Sequence, residues 1–157
     1  MSLLLMLVKL VHVLSGAVLF GTGAGIAFFM WAADRTRDAR AVAVVARIVV
    51  IADFVFTASA VVVQPISGGI LMALEGWRLT EPWLLTALGL YVLTGACWLP
   101  VVAFQIEMKR LAEGAAAAGE PLPERYHTLY HRWFILGWPA FAAVIAIYAL
   151  MLFKPAF

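Results

Sequence analysis

Lys9 and His12 stand three residues apart in a stretch, 3–33, that is otherwise almost wholly apolar. Three residues is nearly one helical turn, so the two side chains share a face. An ionisable group inside an apolar segment is costly and marks a functional position by default. Neutral imidazole tolerates such burial and is the commonest haem or metal ligand. His12 is therefore a candidate axial or metal ligand. The competing expectation is a histidine that ties helices together by bonding to Ser, Thr or Tyr. Lys9, one turn nearer the chain start, either snorkels to lipid headgroups or meets an anion beside His12, such as a haem propionate or an acidic substrate.

Other chemistry-bearing residues are few. Asp53 is the sole carboxylate well inside an apolar run, six residues beyond Arg47. It is expected to pair with Arg132 or His131, or to relay protons. Gln64, Ser67, Met72, Tyr91, Thr94, Tyr148 and Met151 are the groups that could face His12. A thioether is an accepted second haem ligand, which makes Met72 and Met151 candidates. His127 and His131 are spaced i, i+4 but lack the intervening glutamate of a zinc-protease motif, and fit an interfacial face better. The lone Cys97 excludes an internal disulfide and a c-type haem attachment, and is expected as a buried apolar residue.

The elements that must position these groups follow from composition. Of 157 residues, 65% are hydrophobic and 13% charged, where a soluble domain has roughly 45–50% and about 25%. The charges lie between apolar runs, so the chain is expected to be all-α: a single transmembrane domain, 1–157, forming a polytopic four-helix bundle in a lipid bilayer. The four helices are expected at about 2–31, 42–74, 83–111 and 126–153, each longer than the roughly 20 residues a span needs. Pro65 and Pro100 predict kinks. Residues 112–124, rich in Ala and Gly with two prolines, predict a mobile loop. The end of the third helix, from Gln105, is expected to emerge into solvent, and Trp31, Trp77, Trp83 and Trp133 are expected as interfacial anchors. Ala17, Gly21 and Gly25 form a small-residue face through which a homo-oligomer could pack. A net charge of +2 gives no basis for nucleic-acid binding.

Two short similarities suggest duplication. His12-Val-Leu-Ser-Gly-Ala17 reads like Tyr91-Val-Leu-Thr-Gly-Ala96, and Arg47-Ile-Val-Val-Ile like Arg132-Trp-Phe-Ile-Leu. Two duplicated helical hairpins would place Tyr91 across the bundle from His12. Eight lysines and arginines flank the two loops after helices 1 and 3, namely Arg35, Arg37, Arg40, Arg47, Lys109, Arg110, Arg125 and Arg132. Three, Lys9, Arg78 and Lys154, lie on the other side. The positive-inside rule then predicts a bacterial inner-membrane protein with both termini extracytoplasmic.

Several stretches carry a resemblance: Lys9-x-x-His12 with its glycine run, Ala52-Asp53-Phe54, Gln64-Pro65-x-Ser67-Gly68, Cys97-Trp98-Leu99-Pro100, Arg132-Trp133-Phe134, Gly137-Trp138-Pro139-Ala140 and Lys154-Pro155. Over nearly its full length the chain resembles a bacterial family of small predicted integral membrane proteins known as a domain of unknown function. More distantly, the first helix resembles those of the four-helix protoporphyrinogen oxidases that bind haem b, and of copper-resistance D membrane domains. That likeness implies a haem-ligand role for His12 alone. The aromatic-Leu-Pro-Arg signature of the oxidases is missing, and Gly21–Gly25 stands in its place.

The sequence thus leads to a haem b held by His12, with Lys9 near a propionate and Tyr91 or Met72 among the groups that complete the site. The expected function is electron transfer or oxidation of a small lipophilic or porphyrin-like substrate. The alternatives are a non-enzymatic assembly protein and a small transporter or metal-handling protein using Asp53 and Gln64.

Overall fold

Ser2 begins the first helix: its hydroxyl accepts from Leu5 N at 3.3 Å, which satisfies one of the free N–H groups of a helix start. The computed structural model describes residues 2–155. Its helices are α1 (Leu3–Arg35), α2 (Ala39–Ala52), α3 (Ala58–Glu75), α4 (Pro82–Ala118) and α5 (Glu124–Phe153), with a π-helical turn at Asp53–Thr57 joining α2 to α3. The joined pair forms one rod, Ala39–Glu75, so four helices are long and apolar enough to cross a membrane. Among the described residues there is no strand. The fold is an all-α four-helix membrane bundle.

The connections are short because each end is chemically marked. After α1, the Thr36 hydroxyl caps the Ala33 carbonyl at 2.7 Å, and Asp38 caps the Arg40 N–H at 2.9 Å. After α3, Gly76 takes a left-handed conformation (φ 74°) and lets Trp77 N–H return to the Met72 carbonyl at 3.1 Å. Pro82 opens α4 at a position where a missing N–H costs nothing.

Helices of 33, 37, 37 and 30 residues run to roughly 45–55 Å at about 1.5 Å per residue, against a hydrocarbon core of about 30 Å. The surplus is used at the end that carries the two basic loops, the basic end. There Met30, Val42, Ala46, Met108, Ala112, Tyr126 and Trp133 form a close-packed cluster fed by all four helices. The other end, where both chain termini lie, is the terminal end. α1 runs along the whole second rod, and α4 packs along all of α5. α4 meets the rod mainly through α2, while α3 and α4 have almost no close backbone approach. The two hairpins, α1 with the rod and α4 with α5, thus meet through α2 and α4 near the basic end, and through α1 and α5 toward the terminal end, where a Cβ at Gly16 would touch Tyr148.

Several expectations change. α4 continues to Ala118, with Ala112 fully buried, where a mobile loop is expected from 112. Alanine is the strongest helix former, and the real stop is Gly119 in the left-handed region (φ 69°). Gln105 and Trp133 are buried inside the bundle and are neither solvent-facing nor an interfacial anchor. The irregularity of the second rod sits at Asp53–Thr57, while Pro65 lies inside an unbroken stretch of α3. Cys97 is buried, as expected. Ala17 and Gly21 lie on the outward face of α1, and nothing comes within 4 Å of a Cβ added at Gly21.

Met108, 0% exposed in the basic-end cluster, is expected to be one of its main supports. Met108→Ala should destabilise the protein by about 2 kcal/mol or more. Leu99→Ala, on an outward face at 66% exposure, should be near neutral. Thermal unfolding of both variants in the same detergent checks this.

Candidate functional site

α1 and α3 run antiparallel, and their seam is polar along one line. From the terminal end it reads Lys9 with Glu75, His12 with Ser67, and Ser15 with Gln64. On α1 the partners recur every three residues, and on α3 Gln64 and Ser67 are three apart with Glu75 eight further on, about two turns, so they fall near one stripe of each helix.

The geometry at His12 fixes a proton. His12 Nδ1 lies 2.9 Å from Ser67 Oγ. The Ser67 hydroxyl has one hydrogen, and it goes to the carbonyl of Val63 at 2.7 Å, with that of Gln64 at 3.1 Å. Its oxygen must therefore accept from the ring, which places the ring proton on Nδ1 and a lone pair on Nε2. Gln64 Nε2 donates to that lone pair at 3.2 Å. The Gln64 carbonyl oxygen accepts in turn from the Ser15 hydroxyl. Nδ1–H held by a second group, with Nε2 carrying the lone pair, is the form in which histidine binds metals. The group on Nε2 is the end of a flexible side chain.

Glycines make room for this network. A Cβ at Gly68 would lie 3.2 Å from His12 Cε1, and one at Gly16 would lie 3.0 Å from the Tyr148 hydroxyl and 3.5 Å from Gln64 Nε2. Tyr148 thus brings α5 to the edge of the site, beside the stacked Phe20 and Phe141 at 4.9 Å.

The remaining expected site residues are spread out. Lys9 pairs with Glu75 at the terminal face. Glu75 also accepts from Trp77 Nε1 at 2.7 Å, and Lys154 lies 4.5 Å from the Trp77 ring and 5.5 Å from that of Trp83. Met72 is half-buried on α3, one turn beyond Gly68 toward that clasp. Tyr91 does not bond to His12. Its hydroxyl donates to the Val61 carbonyl at 2.6 Å, about 9 Å of helix away from Ser67 at roughly 1.5 Å per residue. Among the described residues there is no group of three or more His, Cys, Asp or Glu that could hold a bare metal ion. A porphyrin brings four nitrogens of its own and needs one imidazole, so the residues present fit haem better than a free ion.

A second polar group lies nearer the basic end. Asp53 is 3% exposed, and Trp98 Nε1 is 3.2 Å from both its carboxylate oxygens. With its amide oriented to suit both neighbours, Gln105 donates to Asp53 at 3.2 Å and accepts from Trp133 Nε1 at 3.2 Å. The expected partners Arg132 and His131 are exposed elsewhere on α5. Trp98, Gln105 and Trp133 are the residues sequence reasoning missed. Each carries an N–H donor in an apolar run, and that was the available signal.

The family model described as "Predicted integral membrane protein (DUF2269)" matches residues 6–155, so the chain belongs to that family. No curated protein and no solved structure matches.

Contact at Gly68 generates a prediction. Gly68→Val forces carbon against the imidazole and should cost about 1–3 kcal/mol by overpacking. Gly69→Val, with nothing within 4 Å of an added Cβ, should lack that cost, and the difference in unfolding temperature between the two variants measures it.

Proposed function

We propose that this member of the family is a haem-b protein of the bacterial inner membrane, with the haem in the terminal half of the bundle and His12 as axial ligand through Nε2. The observation that carries this reading is the Ser67 hydroxyl, committed to the Val63 carbonyl, which leaves His12 in the ligand tautomer. The resemblance to haem-b oxidases read in the first helix rests on the sequence alone, and their signature after the histidine is absent, so porphyrinogen oxidation is not part of the proposal. The basic end faces the cytoplasm in this reading, and both termini lie outside.

In this reading the chain's residues have distinct tasks. His12 would hold the iron through Nε2, the nitrogen that the Gln64 amide now meets. Ser67 fixes the ring's rotation and tautomer and raises its basicity through Nδ1–H. Lys9 offers an ammonium one turn outward, where a propionate would compete with Glu75 for it. A bound haem supplies one-electron chemistry, for electron transfer or for oxidation of a small lipophilic substrate. Carbon monoxide separates these: binding to the reduced protein indicates an open position for oxygen or substrate, and no binding indicates a second ligand such as Met72 and an electron carrier.

Because both ring nitrogens already meet α3, a second reading is a non-enzymatic assembly protein in which His12 only ties two helices. The proposed oligomer would form through the outward Ala17–Gly21 face of α1.

Protein expressed with ample haem should show a Soret band that His12→Ala abolishes, and Ser67→Ala should weaken haem affinity about 10–100-fold. Wild-type protein without any Soret band overturns the haem reading in favour of the structural one. Gly21→Leu should convert an oligomer to monomer in detergent sizing, and an unchanged elution volume rejects that face.

A further inference from the structure

The second rod buries a carboxylate that the haem reading does not use. Asp53 is held by neutral groups, Trp98 and Gln105 from α4, with Trp133 of α5 behind them. Among the described residues none of its ion pairs is with a cation; Arg47, nearest on its own rod, is bonded to Glu113 at 3.0 Å. Residues 13–33 of α1, 92–106 of α4 and 133–147 of α5 contain a single titratable side chain, Cys97. A charge in such surroundings is expensive unless something neutralises it, and a charged group within a span is a functional position by default.

The shell decides what neutralises it. A divalent metal cation takes about six or more oxygen ligands, whereas here N–H hydrogens point at the carboxylate and repel cations. A proton needs only a place to bind and an acceptor to point at. Thr57 supplies the acceptor. It is 7% exposed, follows Asp53 by four residues in the same π turn, and its hydroxyl has no hydrogen-bond partner. Indole and amide N–H groups can only donate. A hydroxyl donates to a carboxylate and accepts from a carboxyl O–H, so it serves both protonation states. The π turn spans this pair, with Ala58 N–H bonded to the Asp53 carbonyl, and π turns are frequent at functional positions.

We propose that Asp53 is a reversible proton-binding site inside the membrane, filled from the basic end, with the unpartnered Thr57 hydroxyl available to accept from the protonated carboxyl. That end is the nearer one: Arg47 is about 9 Å of helix away and Glu75 about 33 Å, at roughly 1.5 Å per residue. On filling, a proton from water adds to one carboxylate oxygen, the group becomes a neutral carboxyl, and the Thr57 hydroxyl accepts from its O–H. No electrons move, and the site stands whether or not haem binds at His12.

The test is infrared spectroscopy of the full chain in lipid nanodiscs, labelled with carbon-13 at the aspartate side-chain carboxyl and titrated with pH. The chain has three aspartates, Asp34, Asp38 and Asp53, and the first two lie at the basic-end loop. The expected result is a labelled carboxyl C=O band at the high frequency of a desolvated group, shifted down in deuterated water. Asp53→Asn should abolish it, and Thr57→Val should move it to higher frequency by removing its hydrogen-bond partner. The double variant Asp34→Asn with Asp38→Asn isolates the same band without touching the site. Labelled carboxyl signal absent from that double variant at every pH overturns the proposal. So does a band that responds to sodium or potassium at constant pH, which would identify a cation site.

Discussion

A serine hydroxyl has one hydrogen to give, and at Ser67 it is given to the helix's own backbone. Everything along the α1–α3 seam follows from that commitment. The serine oxygen can only accept from His12, the ring's other nitrogen can only accept, and Gln64 and Ser15 fall into line behind it. In hydrocarbon no water competes for these groups, so each polar atom must find its partner within the protein. Two glycines, Gly16 and Gly68, remove the carbon that would block the approach.

The bundle uses different physics at its two ends. Near the basic loops the helices overrun the slab, and apolar side chains such as Met108, Tyr126 and Trp133 pack into a core of the kind water favours. Within lipid, tails are as apolar as leucine, so burial of apolar surface gives little. There the contacts that matter are close backbone approach and hydrogen bonds. The His12 seam lies away from that core, whereas the Asp53 group borders it through Trp133.

Much of this was legible in the sequence. Four apolar runs, their proline and glycine punctuation, and the depth of His12 and Asp53 follow from periodicity and composition. The partners did not. His12 was expected to be either ligand or tie, and sequence spacing could not say that Ser67 and Gln64 face it, because inter-helix register depends on packing. For Asp53 the reasoning favoured charged partners, Arg132 or His131. The fold supplies indole and amide N–H groups instead, since Trp98 and Gln105 sit at its depth and the charged pair faces out. The alanine run 115–118 read as loop because its glycine and proline neighbours were weighed above alanine's own helix preference.

Lys154 sits over the indoles of Trp77 and Trp83, the first of which is bonded to the same glutamate that holds Lys9. The end of α5 thus packs on the connection between the two hairpins through one ammonium. Removing that ammonium would loosen the grip of α5 on the loop that joins α3 to α4, while Glu75 keeps its hold on Lys9 and Trp77.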